Sequence, residues 1–334
     1  MTTLKKRKAF LLLFLFLFLF LSTGLCGCFE PKMKFLKEFG SEGKASNEFS
    51  GPTDIAVNSK GDIYICDTGN NRVVVYNSNY DYIKTLSGGT VSMKAPYGVG
   101  VDTADNVYVA DTENNRVLKY NPSGHIVLEI SSTVKIGQQK DPSNSVKRPY
   151  DVAVFSDKQI FVVDSLNRLL VFEPTGVCAN KLGSKGSGSD SFDVPTRIAV
   201  TMADENEKSY YFYISDSFNS RVTKFNNEFK SVYEIKDKGV MDFLRDPRGL
   251  AVLPDRSVIV TDCGATPICA YSSSGVFEGS GGSFGTGRGK ILSTAGVAVD
   301  ITRKRVYVTD QLQNKVLVFA LHKEDFKAKS GEEK

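Results

Sequence analysis

Histidine is rare in this sequence of 334 residues, which contains only His125 and His322. Two histidines cannot form a multi-histidine zinc site. The P-loop and HExxH motifs are also missing, so the usual signatures of P-loop nucleotide-binding enzymes and zinc proteases are absent. No segment has a sustained 3.6-residue apolar period, which argues against amphipathic helices. We predict neither a metal site nor a cofactor.

The chain instead contains a repeat, in six copies between residues 51 and 321. Each copy has a short apolar stretch, which a proline opens in all but the sixth copy, then an apolar run that ends in Asp, a polar loop and a further apolar run. The Asp recurs as Asp67, Asp111, Asp164, Asp216, Asp262 and Asp310. Copies of about 40–50 residues with four short β-rich runs predict the blades of a β-propeller.

The two ends of the repeat array predict how the ring closes. The sixth copy stops after its third strand, Lys315 to Phe319, and a spare strand pattern precedes the first copy at Phe35 to Phe39. Pairing these two strands would remove two open edges. We therefore predict an all-β fold with six blades at residues 34–321, in which the N-terminal strand completes the last blade.

Several motifs of the repeat resemble those of one family. The first copy reads Gly51-Pro52-x-x-Ile55-Ala56-Val57, then Gly61-Asp62-Ile63-Tyr64, then Asp67-Thr68-Gly69-Asn70-Asn71-Arg72-Val73, and the second repeats the last of these as Asp111-Thr112-Glu113-Asn114-Asn115-Arg116-Val117. The sequence resembles the NHL-repeat family over nearly all of residues 34–321. This resemblance implies a six-bladed NHL-type propeller. For function it implies only a range, from RNA-binding modules to extracellular sensor domains and a few lyases.

The recurring Asp is followed four or five residues later by Arg or Lys in every copy except the fifth. We interpret the pair as a structural clip, since a catalytic group is needed once and this one recurs. We expect the Asp to accept backbone N–H groups of the following turn and to pair with the basic residue. In the fifth copy Cys263 and Cys269 flank the turn. We predict a disulfide between them in place of the clip; two small buried thiols are the alternative.

The first 28 residues indicate export. Lys5 to Lys8 precede an apolar run from Ala9 to Leu21, which is short for a membrane span and typical of a signal peptide at residues 1–27. Leu25-Cys26-Gly27-Cys28 resembles a lipobox, which predicts lipid attachment at Cys28 and a short tether at residues 28–33. An uncleaved signal anchor and plain secretion remain alternatives. Residues 322–334 are predicted to be a charged tail.

Removing the signal also changes the charge of the protein. The chain has 42 basic and 38 acidic residues, and four of the basic residues lie in the signal. The mature protein therefore has no net charge. Because nucleic-acid binding through phosphates normally requires a basic excess, we predict no nucleic-acid partner.

Binding is expected on the face that carries the loops before each first strand and between the second and third strands. Three long loops gather there, at residues 131–148, 183–194 and 279–293. The residues after each blade-opening proline should surround the mouth of the central channel on this face. The candidate ligand-binding residues are Asp54, Tyr97, Tyr150, Asp151, Arg197 and Arg248.

These observations favour a non-catalytic function. We predict a monomeric module, held outside the cell by a lipid anchor, that binds a protein, peptide or glycan. The alternative is a lyase or hydrolase with Asp54 or Asp151 as base and Arg197 or Arg248 as electrostatic stabiliser. Since the mouth positions vary between copies, Arg197 and Arg248 are expected to be replaceable at little cost in stability.

Overall fold

The computed structural model describes residues 33–131, 144–155, 159–203, 209–238 and 242–321. An N-terminal strand, β1 (Phe35–Phe39), precedes the first repeat. Blade one contains β2 (Pro52–Val57), β3 (Ile63–Asp67), β4 (Arg72–Tyr76) and β5 (Tyr82–Leu86). Blade two contains β6 (Pro96–Val101), β7 (Val107–Asp111), β8 (Arg116–Tyr120) and β9 (Ile126–Ser131). Blade three contains β10 (Pro149–Phe155), β11 (Gln159–Asp164), β12 (Arg168–Phe172) and β13 (Cys178–Leu182).

Blade four contains β14 (Pro195–Met202), β15 (Tyr210–Asp216), β16 (Arg221–Asn226) and β17 (Ser231–Ile235). Blade five contains β18 (Pro247–Val252), β19 (Val258–Asp262), β20 (Ile268–Tyr271) and β21 (Phe277–Gly281). A short parallel pair, β22 (Ser283–Phe284) and β23 (Lys290–Ile291), lies in the next loop, and blade six contains β24 (Thr294–Asp300), β25 (Arg305–Asp310) and β26 (Lys315–Ala320). Three single-turn 3₁₀ helices follow second strands, at Thr68–Asn70, Thr112–Asn114 and Ser217–Asn219.

The predicted closure of the ring is confirmed. β1 pairs with β26 in antiparallel register, with Phe35 opposite Phe319 and Phe39 opposite Val316. The sixth sheet therefore has the order β1-β26-β25-β24, and each of the other blades is a four-stranded sheet in sequence order. The fold is the predicted all-β six-bladed propeller.

The core lies between the blades. Each cluster of buried apolar side chains joins two consecutive sheets, for example Val73 and Val75 of blade one with Val107 and Val109 of blade two. The last cluster joins blade six to blade one. Since each strand alternates its side chains between two faces, the radial arrangement buries both faces of every sheet.

The recurring Asp forms the predicted clip in the first four blades. The Asp–Arg distances are 2.7 Å for Asp67–Arg72 and Asp111–Arg116, 3.0 Å for Asp164–Arg168 and 2.9 Å for Asp216–Arg221. In blade three, Asp164 Oδ1 accepts the N–H of Leu166 in the following turn, as expected. In blades one, two and four the backbone partner differs from the expectation. The other carboxylate oxygen mainly accepts an N–H of the loop before the same blade, as in Ser50 N to Asp67 Oδ1 at 2.7 Å. Each clip thus fixes the base of a loop on the face that carries the loops before the first strands.

The last two blades modify this clip, and the predicted disulfide is wrong. Cys263 and Cys269 are free thiols. Asp262 instead pairs with Lys238 of the preceding loop at 2.6 Å, so a cation from another element replaces the missing arginine. In blade six, Lys315 pairs with Glu38 of β1 at 3.1 Å rather than with Asp310.

The second Asn of the Asn-Asn motif connects neighbouring blades. Asn71 has φ 56° in the left-handed region, which Asn tolerates better than most residues. Its Oδ1 accepts the N–H of Ala95, just before the proline that opens blade two, at 2.7 Å. Asn115, Asn167 and Asn314 make equivalent bonds to Arg148, Val194 and Gly51. The bond from Gly51 to Asn314 connects blade six to blade one.

Candidate functional site

Three ionisable side chains lie at the centre of the ring, each two residues after the proline of a first strand. Asp54 belongs to β2, Asp151 to β10 and Arg197 to β14. All three are buried, with 5 % or less of their surface exposed. Their sequence positions predicted a place at the channel mouth, whereas they lie inside the channel.

Arg197 spans the channel from blade four to blade one, on the opposite side of the ring. Its Nε lies 3.3 Å from Asp54 Oδ1, and its Nη2 donates to the carbonyl of Thr53. Nη1 donates to the carbonyl of Thr196 at 2.8 Å. The guanidinium also lies 5.0 Å from the centre of the Tyr97 ring, a cation–π distance. Arg197 is therefore a buried tie between opposite blades.

The two carboxylates also hold backbone groups of the following blades. Asp54 Oδ2 accepts the N–H of Val99 at 2.8 Å, and Asp151 Oδ2 accepts the N–H of Ile198 at 2.9 Å. Burial raises the pKa of Asp54, although Arg197 opposes the shift. Burial and the charge of Asp54 raise the pKa of Asp151 well above its usual range. Burial disfavours the charged form of Arg197 and lowers its pKa. The charges of Asp54 and Asp151 outweigh this effect, so the pKa of Arg197 is raised overall.

Glycine at the equivalent position of other blades makes room for this cluster. A Cβ added at Gly98 would lie 2.4 Å from Asp151 Oδ1, and one added at Gly296 would lie 2.4 Å from Asp54 Oδ1. The sequence analysis did not assign a role to these glycines. A signal was present, since the six residues at this position, Asp54, Gly98, Asp151, Arg197, Gly249 and Gly296, are each either charged or Gly.

The other candidate residues form an outer layer, one residue closer to the mouth. The Tyr97 and Tyr150 rings are 5.8 Å apart, and both side chains are partly exposed. Arg248 is also partly exposed and pairs with Asp246, with Nη2 2.8 Å from Oδ2. The structure thus divides the six predicted residues into a buried trio and an accessible mouth of Tyr97, Tyr150 and Arg248.

The loop-rich face has a feature that the sequence analysis missed. Loops between second and third strands emerge on the same side as loops that lead into first strands, because the strands of a blade alternate in direction. Among the described residues, the three most exposed large apolar side chains are Phe218 (72 %), Leu312 (65 %) and Phe243 (63 %), and all three lie on these loops. Leu166 is exposed at the repeat position that Phe218 and Leu312 occupy.

Other predictions concern parts that the structure does not test. Cys28 and residues 322–334 lie outside the described residues, as does most of the loop at 131–148. No described helix is long and apolar enough to cross a membrane. The described ranges hold no group of three or more His, Cys, Asp or Glu side chains placed to bind a metal ion.

Comparison with known proteins gives the same architecture. The NHL repeat family model matches residues 49–76 and 95–120. No curated protein matches the chain by sequence. A protein of unknown function from Bacteroides thetaiotaomicron has a TM-score of 0.65 and 15 % identity, with 85 % of this chain and 76 % of that chain covered.

Two enzymes have the same fold. A gluconolactonase from Xanthomonas campestris has a TM-score of 0.57 and 14 % identity, with 82 % of this chain and 87 % of that chain covered. Virginiamycin B lyase from Staphylococcus aureus, in a catalytically inactive form with quinupristin, has a TM-score of 0.55 and 13 % identity, with 84 % and 82 % covered. Identities this low indicate the fold alone. The chain is thus a six-bladed β-propeller that contains NHL repeats.

Proposed function

We propose that this propeller is a non-catalytic module, displayed outside the cell, that binds a protein through its loop-rich face. The observation that carries the proposal is the position of Phe218, Leu312 and Phe243, the most exposed large apolar side chains of the described residues. Exposure of a large aromatic or aliphatic side chain to water is unfavourable, and its burial in a pocket of a partner would be favourable.

The polar groups on the same face favour a protein partner. Charges of both signs lie among the apolar side chains, including the Arg148–Glu113 pair at 2.7 Å and Lys185 opposite Asp193 at 4.0 Å. Apolar anchors among polar and charged groups are typical of protein–protein interfaces.

The test is affinity capture with the mature chain from residue 29, using extracts of the host's surface proteins. We expect a partner bound by the wild type to be lost with Phe218→Ser/Leu312→Ser. Each anchor of this kind typically contributes about 2 kcal/mol, or roughly 30-fold in affinity. Both side chains are exposed, so the melting temperature should change little.

Val276→Ser is the matched control. Val276 is 62 % exposed and lies in the turn between β20 and β21, on the opposite face. This variant should bind like the wild type. Equal loss in both variants, or no loss in either, would exclude the loop-rich face as the binding surface.

The location of the module is part of the proposal. The signal-like segment and the lipobox-like Leu25 to Cys28 support lipid attachment at Cys28. The chain enters the propeller at its outer edge, where Phe35 begins β1 and Met33 bridges to Gly281 of blade five. A lipid at Cys28 would tether the propeller to the membrane through the segment that leads into β1.

A lyase or hydrolase is the second candidate, and one observation favours it. Burial and Asp54 raise the pKa of Asp151, as expected for a catalytic carboxyl group. Against it, two donors of Arg197 already bind backbone carbonyls of opposite blades, which indicates a structural role. Turnover of a lactone or ester that Asp151→Asn abolishes would support the enzyme over the binding module.

A further inference from the structure

A cavity of about 190 Å³ lies in the channel next to the buried trio. One end is formed by Asp54, Asp151 and Arg197. The walls are first-strand residues that follow this trio, away from the loop-rich face, and they include Val101, Val154, Val200, Leu250 and Val297. The lining is polar as well as apolar, and a few convergent polar groups beside apolar side chains are typical of small-molecule sites.

The charges at the polar end do not balance. Two carboxylates share one guanidinium, and Arg197 lies 3.3 Å from Asp54. Within the described ranges, no Lys or Arg nitrogen lies within 4.0 Å of the Asp151 carboxylate, which is 4 % exposed. Its Oδ2 accepts a backbone N–H from Ile198. A buried carboxylate without a cation is costly unless it takes up a proton or binds a positive group.

We propose that the cavity binds a small organic cation, with a primary ammonium group on the Asp151 carboxylate and an apolar body against Val101, Val154 and Val200. The size fits, since a cavity of about 150 Å³ is known to hold benzene. This site is separate from the loop-rich face, and the proposal does not depend on the function proposed for that face.

Two further observations support this assignment. Gly98 leaves space beside Asp151 Oδ1, where a Cβ would lie 2.4 Å away. Burial and the charge of Asp54 raise the pKa of Asp151, which favours its protonated form in the free protein. An ammonium group favours the ionised carboxylate and lowers its pKa. Binding should therefore release a proton.

Calorimetric titration of the chain from residue 29 tests the proposal, with benzylamine as the probe. At mildly acidic pH, titrations in two buffers of different ionisation enthalpy measure the released proton. Benzyl alcohol has the same ring without the charge. We expect it to bind at least about tenfold more weakly, because hydrogen bonds to a charged group are the stronger ones. Equal binding of the two probes, or no binding of benzylamine, would overturn the proposal.

Three variants locate the site. Asp151→Asn keeps an oxygen to accept the Ile198 N–H but removes the charge. It should weaken benzylamine binding at least about tenfold and abolish proton release. Asp190→Asn removes an exposed carboxylate and should bind like the wild type. Retained binding in Asp151→Asn would refute the assignment.

Val200→Phe keeps the test decisive if Asp151→Asn fails to fold. Val200 lines the cavity, so a larger side chain there is intended to fill it while the carboxylates are retained. It should abolish benzylamine binding, and unchanged binding in a folded Val200→Phe variant would equally reject the site.

Discussion

At the scale of single residues, Arg197 differs most from its sequence interpretation. It occupies a variable position of the repeat, so we expected the fold not to need it. In the structure it is 3 % exposed and bonded to the carbonyls of Thr53 and Thr196. Variation between copies is consistent with a structural role, because a ring needs such a tie across its channel only once.

Arg197→Gln should therefore destabilise the propeller. Removing one partner of a buried ion pair typically costs about 3–5 kcal/mol, because the remaining charge, here Asp54, stays buried without its cation. Urea denaturation followed by circular dichroism measures the loss.

Arg248→Gln is the control for Arg197→Gln. Arg248 pairs with Asp246, but both side chains are about a third exposed, so the pair should contribute less than about 1 kcal/mol. If Arg197→Gln were as stable as Arg248→Gln, the tie across the channel would be unimportant for stability.

At the scale of strands and turns, closure depends on β1. Phe39 of β1 packs against Phe49, Tyr76 and Tyr80, with ring centres 6.3, 5.5 and 5.2 Å away. Glu38 pairs with Lys315 of β26. This one strand therefore joins the last blade to the aromatic cluster of the first.

Deleting residues 34–40 should open the ring and lower the melting temperature sharply. A milder test compares two substitutions within β1. Phe39→Ala should cost about 2–4 kcal/mol, since large-to-small changes in packed regions cost this much.

Leu36→Ala should cost less than about 0.5 kcal/mol, since Leu36 is 45 % exposed. Scanning calorimetry distinguishes the two variants. A deletion mutant that melts like the wild type would show that the ring closes without β1.

The sequence predicted the elements that repeat and missed contacts between copies. The blades, the closure and four Asp–Arg clips follow from local patterns. The replacement of the fifth clip by Lys238 does not, because that cation lies in the preceding loop, outside the motif. The trio in the channel was found as a set of residues, but its burial and its pairing between opposite blades depend on the closed ring.

At the scale of the whole molecule, the proposed anchor determines how the ring is displayed. Cys28→Ser should abolish lipid labelling and release the propeller from the membrane fraction of a lipoprotein-processing host. The reason is that, once the signal is cleaved, the lipid linked to Cys28 by a thioether would be the only attachment of the wild-type protein to the membrane. Radiolabelled fatty acid and cell fractionation provide the measurement.

The length of the N-terminus distinguishes the alternatives. A Cys28→Ser protein that stays in the membrane with residues 1–27 still attached would indicate a signal anchor. Wild-type protein found free in the medium would indicate plain secretion.

The Asp clips also bear on how the loops of this propeller can change. Each clip holds the base of one loop to its own blade, as Asp67 does for Ser50 and Asp216 for Asp193. Insertions or substitutions near the tip of one loop therefore leave the register of the strands and the other loops unaffected. The loops can therefore diverge one at a time, so that proteins which share this ring can present different loop surfaces.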